Sequence, residues 1–125
     1  MKIKTSELKD AFLDWAVAKC EGEKLRIFDR QIVWPEDYSP STDWAQGGPI
    51  IERETLGVWW ATHFVDGEGV EYGNHWYCET GCTDENVNET YHNATGPTPL
   101  IAAMRCYVSS KLGDEVDVPE ELKDE

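Results

Sequence analysis

The sequence predicts one α+β domain, an antiparallel β-sheet of about four to six strands with two main helices, and three observations predict it. Helical periodicity stands near each end of the chain, over 6–20 and 98–112. Between these stretches lie short runs of aromatic and β-branched residues broken by glycine and proline, the pattern of strands joined by turns. The length, 125 residues, suits a single hydrophobic core. The expected organisation is one domain over 1–113 and an acidic C-terminal tail over 114–125.

In chain order, SELKDAFLDWAVAKC (6–20) puts Leu8, Phe12, Trp15 and Ala16 on one helical stripe, with Ser6 as N-cap and Gly22 as the stop. RIFDRQIVW (26–34) reads as a strand that ends at Pro35. YSPSTDWAQGGPIIE (38–52) combines Pro40, Gly47, Gly48 and Pro49 with Ser and Thr, so it reads as a structured loop entering a short strand at Ile50–Glu54. GVWWATHFV (57–65) has the length and ring content of a half-buried strand, joined through DGEG (66–69) to another at about Glu71–Glu79. The polar stretch 80–95 is assigned to loops with at most one short strand. TPLIAAMRCYVSSKLG then opens a second helix with Thr98 as N-cap and Pro99 in the first turn. Leu100, Met104, Val108 and Leu112 form its inner side, and it stops at Gly113. The tail is expected to be solvated, pinned by Val116, Val118 and Leu122.

Lys and Arg number 11 against 25 Asp and Glu, a net charge of −14. That field repels phosphate backbones, so duplex nucleic acid is not an expected partner. A compact anion held by one or two buried arginines is compatible with it, because contacts at short range escape the screening that weakens a global field. No apolar run reaches the length of a membrane span, and the start, MKIKTSELKD, lacks the apolar stretch of a secretory signal. The expected location is therefore the cytoplasm, with no membrane partner. Cys20, Cys78, Cys82 and Cys106 are expected to be thiols, and the sequons at Asn88 and Asn93 chance matches.

HWYCETGC brings His75, Cys78 and Cys82 within eight residues, with His63 or His92 as a fourth ligand. The second cysteine pair of a zinc site is missing, so no metal and no other cofactor is expected. No nucleophile motif and no phosphate-binding glycine motif occurs, and 25 carboxylates make any acid pair uninformative, so no enzymatic activity is expected. The binding candidates are different. Gly96-Pro97-Thr98-Pro99 opens a helix N-terminus that favours anions, although the two prolines remove amide donors. Arg53 and Arg105 are candidate phosphate forks, weighed against simple pairing with surface carboxylates. Trp15 and Trp44 are candidate stacking rings, with core packing the alternative for Trp15.

Three blocks carry a resemblance. MKIKTSELKDAFLDWAVAKCEG, YSPSTDWAQGGPIIERE and GPTPLIAAMRCYVSSKLGDEVDVPEEL resemble the NinX-like proteins of lambdoid phages such as P22, in the family's order, while 57–93 lies outside the resemblance. Two helices around strands, a Trp on the first helix, an Asn before the second and an Arg within it are also similar to the phage anti-Thoeris sponges. Those proteins capture cyclic ADP-ribose signals, and some capture cyclic oligonucleotides, without cleaving them, as oligomers assembled through their helices. The resemblance implies a non-enzymatic anti-defence protein of the host bacterial cytoplasm, a homo-oligomer through its helices, that sequesters a small anionic nucleotide. It further implies that Trp15 and Asn93 meet base and ribose, and that Arg53 and Arg105 hold phosphate. Trp44 and Thr98 complete the candidate site. The rival expectation is an acidic, DNA-mimic-like interaction protein that blocks a host or phage nucleic-acid-binding protein, for which the charge of −14 is the support.

Overall fold

The structure is a computed structural model and describes residues 1–23, 26–28, 31–33, 38–61, 64–65, 67–69, 71–72, 75–80 and 92–120. It is α+β, with every strand pair antiparallel among the described residues.

Strand β1 (Lys2–Lys4) runs into a short 3-10 turn (Thr5–Glu7) before helix α1 (Asp10–Glu21) begins. Ser6 is therefore not the N-cap: it lies within the 3-10 turn, and Lys9 stands at the cap with no side-chain bond. The cause is tertiary. Thr5 donates from its amide to the Asp114 carbonyl at 2.8 Å and from Oγ1 to the Gly113 carbonyl at 2.6 Å, which holds this segment against the far end of the chain. Helix α1 ends as expected at Gly22, whose φ of 75° is the left-handed conformation that glycine adopts without steric cost. Its buried face carries Leu13, Ala16 and Val17. That face is rotated from the expected stripe, leaving Phe12 and Trp15 half-buried and turning Asp14 inward.

The run 26–34 is not one strand but two, β2 (Arg26–Phe28) and β3 (Gln31–Val33), paired with Ile27 opposite Ile32. In the sequence the polar pair Asp29 and Arg30 divides the apolar run. A larger correction concerns 44–54, where the expected loop and strand are helix α2 (Trp44–Glu54). Asp43 caps it by accepting the Ala45 amide at 3.0 Å. Its glycines serve packing rather than a turn: a Cβ on Gly47 would stand 2.5 Å from the Pro40 carbonyl and 2.6 Å from Leu100 Cδ1. Gly48 precedes Pro49 and carries no Cβ to clash with the proline ring, so the helix continues through a residue that usually ends one.

The central sheet has the order β4–β7–β8, from Leu56–Ala61, His75–Thr80 and Asn93–Gly96. Phe64–Val65 (β5) and Glu71–Tyr72 (β6) form a further pair between β4 and β7, so the expected hairpin is present with each arm in two pieces. Strand β8 is the short strand allowed for in 80–95 as far as the described residues go, since 81–91 lie outside them. Val58, Cys78 and Ala94 stand in register across the sheet and join the core.

Helix α3 (Pro99–Leu112) follows its expectation closely, capped by Thr98 Oγ1 on the Ile101 amide at 3.1 Å and closed at Gly113. It is the axis of the core, packed by the sheet, α1 and α2 together. Met104 and Val108 have no exposed surface, and burial of each such side chain contributes about 1.5–3 kcal/mol. Strand β8 approaches α3 closely at Gly96, where a Cβ would lie 2.8 Å from the Ala102 amide nitrogen. After α3 the chain forms β9 (Glu115–Asp117), which pairs with β1, and Val116 and Val118 are buried as expected. Leu122 lies outside the described residues. Cys20, Cys78 and Cys106 are free thiols, and Cys82 is outside the described residues.

Candidate functional site

Arg105 sits at the middle of α3, half-buried. Its Nε donates to the Leu8 carbonyl at 2.8 Å and its Nη1 to the Thr95 carbonyl at 2.9 Å. Both partners are neutral, and no carboxylate among the described residues pairs with the guanidinium. Burial disfavours the charged form and lowers its pKa, but an arginine starts so far above neutrality that it remains a cation. The side chain therefore carries a positive charge that no direct ion pair among the described residues cancels into the wall of a recess of about 280 Å³.

Several elements supply the rest of that wall, Thr5 and Ser6 of the 3-10 turn among them. Strand β1 brings Lys4, held by its pairing with Glu115 across from β9; strand β8 brings Asn93, opposite Glu79; α3 brings Ser109 one turn beyond Arg105. Ser109 Oγ stands 3.5 Å from His92 Nδ1. Asp114 and Glu115 line the same recess, with Glu115 3.9 Å from Lys2 Nζ. In the lining of this recess Lys4 and Arg105 thus balance Asp114 and Glu115, in a chain whose overall balance is strongly negative.

Arg53 belongs to a different environment. It lies in the last turn of α2, not on a strand, and its Nη1 and Nη2 donate to the two oxygens of Glu21 at 3.0 and 2.6 Å. Its Nε donates to Glu54 at 2.9 Å, and Nη2 also reaches the Tyr107 hydroxyl at 3.2 Å. Tyr107 in turn donates to Glu21, and Lys111 pairs with Glu54 at 3.2 Å. The hydrogen bond from Arg53 is the largest cause of the lowered Glu21 pKa. Every nitrogen of this guanidinium is engaged, so Arg53 ties α1, α2 and α3 together rather than offering a free fork.

Trp15 also stands apart from the recess, half-buried against the core with Lys19 Nζ 5.3 Å from its ring centroid. Trp44, at the start of α2, is 56% exposed. It shares a second recess, about 200 Å³, with Ser41, Thr42 and the first turn of α3 from Thr98 to Ile101. Thr98 already serves its own helix, taking the Ile101 amide on Oγ1 and the Ala102 amide on its carbonyl, each at 3.1 Å. With Pro99 lacking an amide hydrogen, this N-terminus offers an anion little.

The structure thus brings Asn93 and Arg105 together, and separately Trp44 and Thr98, while Trp15 and Arg53 lie elsewhere. Sequence reasoning missed Lys4 and Ser109, which enter only through the β1–β9 pairing and the helical offset from Arg105, and it missed Ser41 and Asp14. The readable signal was Asp14 itself, an acid on the buried side of α1; its carboxylate accepts the Ser41 amide at 2.9 Å, and desolvation raises its pKa. Of the soft-ligand cluster, His75 and Cys78 lie on β7, with Cys78 buried in the core. His63 and Cys82 are outside the described residues, and no cluster of metal-binding geometry occurs among those described. No helix among them is long and apolar enough to cross a membrane.

Compared with known families, the chain matches the model described as Bacteriophage P22, NinX, over residues 4–111. No curated protein matches it.

Proposed function

The chain belongs to the bacteriophage P22 NinX family, and on that premise we propose that it is a non-enzymatic phage protein that binds and sequesters a small anionic nucleotide signal of host defence, of the cyclic ADP-ribose or cyclic oligonucleotide type. The observation that carries this reading is Arg105, a half-buried cation bonded to two neutral carbonyls and facing a recess with Lys4 and Asn93. A phosphate oxygen would complete the guanidinium's bonding with a directly paired anion, an interaction about twice as strong as a neutral hydrogen bond. Asn93 offers both a donor and an acceptor for a ribose hydroxyl. Removing a signal from circulation requires no bond cleavage, only tight retention.

Retention sets a demanding scale. Nanomolar binding needs about −12 kcal/mol, whereas one charge-assisted hydrogen bond contributes about 1.5–3 kcal/mol. The recess, about 280 Å³, is at the small end of ligand pockets, so it fits a phosphate and its sugar rather than an entire cyclic dinucleotide. The rest of the ligand must find contacts beyond it.

Calorimetric titration against cyclic ADP-ribose isomers and cyclic di- and trinucleotides tests the proposal, with intact ligand recovered after denaturation of the complex. Binding weaker than about micromolar, roughly −8 kcal/mol, across the whole panel would contradict it. The rival reading, an acidic protein that occupies a nucleic-acid-binding partner, draws on the charge of −14. It predicts association that weakens steeply with salt and is indifferent to Arg105.

A further inference from the structure

Two recesses open along one side of α3. Ile101 lines the smaller and Arg105 the larger. Residues four apart share a helix face and are separated by about 6 Å along the axis, comparable to the distance between base and 5′-phosphate in a nucleotide. The smaller recess differs in chemistry from the larger. Trp44 leaves more than half of its surface exposed although it is the bulkiest side chain in its neighbourhood. Its ring edge lies 4.0 Å from where a Cβ on Gly48 would stand, so the indole is laid along α2. Pro99, Leu100 and Ile101 contribute apolar surface.

The second observation is Ser41. Its side chain is 1% exposed, and Oγ is the buried side-chain polar atom that has no hydrogen-bond partner among the described residues. The hydroxyl lies close enough to the Asp14 carboxylate to favour its ionised form, but not in bonding geometry, and that carboxylate takes the Ser41 amide instead. An unpaired buried hydroxyl has given up its hydrogen bonds to water without replacement, so the fold carries a cost here that a ligand would relieve. Ser41 lines the recess with Trp44. A volume of about 200 Å³, one exposed aromatic face and one group able both to donate and to accept define a narrow class of ligand. It is flat, apolar on its faces and polar at its edge.

We propose that the recess formed by Ser41, Trp44 and the first turn of α3 is a subsite for a planar nitrogen heterocycle of the nucleobase type, which together with Arg105 holds a nucleotide along α3. The second half of this statement rests on the reading of Arg105 as a phosphate ligand; the first half does not. Stacking on Trp44 adds a contact that is tolerant of base identity, and Ser41 supplies the polar discrimination. Trp44 thereby takes the stacking role that the resemblance assigns to Trp15.

The test uses the full chain, ¹⁵N-labelled, titrated separately with adenosine, which has a base and no phosphate, and with ribose 5-phosphate, which has a phosphate and no base. Trp44→Phe assigns the Trp44 indole resonance. Adenosine is expected to shift that resonance, and Ser41→Ala to weaken adenosine about five-fold while leaving the melting temperature unchanged or raised. Arg53→Ala serves as the unaffected control. The subsite is overturned if adenosine leaves the Trp44 resonance in place, or if Ser41→Ala binds it as well as the unaltered chain. If ribose 5-phosphate still perturbs Arg105 in that event, the anion reading survives alone. Adenosine at Trp44 with no response to ribose 5-phosphate supports the subsite and contradicts the phosphate role of Arg105. Silence from both probes contradicts both.

Discussion

Arg53 and Arg105 stand on adjacent helices, α2 and α3, and hydrogen bonds anchor each of them, but among the described residues only Arg53 is held by direct ion pairs. Around Arg53 the carboxylates of Glu21 and Glu54 converge, with a phenol and a lysine completing the cluster. Around Arg105 the anchoring groups are backbone carbonyls, which fix the guanidinium without cancelling its charge. In a chain of net charge −14, the first environment is what composition alone would lead one to expect for every cation. The second requires the fold to keep carboxylates out of bonding distance of one arginine, although Asp114 and Glu115 line the same recess. Local neutralisation, rather than total charge, separates a residue that holds helices together from one available to a ligand.

The comparison breaks most visibly at Arg105. Arg105→Met should lower unfolding free energy by about 1–3 kcal/mol, because the Leu8 and Thr95 carbonyls lose their donor. It should also weaken binding of a phosphate-bearing ligand roughly ten- to hundred-fold. Urea denaturation and calorimetry read the two effects, and a loss of stability with unchanged affinity would reduce Arg105 to a structural clasp. Next in size is Thr98→Ala, expected to cost about 1 kcal/mol through loss of the cap on α3, measured by the same denaturation. Arg53→Ala should cost only about 0.5–1 kcal/mol, since its side chain is half-exposed and the cluster is screened, and should leave ligand affinity unchanged. A large loss of affinity in this variant would erase the distinction between the two arginines.

The smallest effect is a pH dependence at Glu21. Its folded pKa lies below the ordinary glutamate value of 4.5, chiefly because of the hydrogen bond from Arg53. The group therefore contributes stability that is fully present above 4.5 and is lost as pH falls through the folded value. The stability gap between the unaltered chain and Glu21→Gln should be widest near neutrality and should close in the acid range below that ordinary value. A gap that persists at low pH would assign the contact to packing instead of charge.

Legibility in the sequence followed whether the governing contact was local. Helix α3 was readable because its cap, its proline and its terminal glycine all act within one turn of their own position. Helix α2 was not, since Gly47 is explained by Pro40 and by Leu100, more than fifty residues away, and the same letters in isolation describe a loop. Ser6 failed as a cap for a similar reason: Thr5 is bonded to residues 113 and 114. At the site, Thr98, Trp44 and Arg105 were identifiable by residue type, and Asn93 entered through the resemblance alone. Their division into two recesses was not, because it depends on the β1–β9 pairing and on the approach of α2 to α3. The fate of Arg53 depended on Glu21, thirty-two positions earlier, a pairing that no periodicity in the chain announces.

The central proposal is that the guanidinium of Arg105, free of a direct ion pair among the described residues, binds a nucleotide phosphate. Its most direct test is one calorimetric series with a cyclic ADP-ribose isomer and a cyclic dinucleotide, run in parallel on the unaltered chain, Arg105→Met and Arg53→Ala. The account predicts tight binding of at least one ligand by the unaltered chain and by Arg53→Ala, and its loss in Arg105→Met. Equal affinity in all three proteins, or loss through Arg53 with Arg105 indifferent, would contradict it.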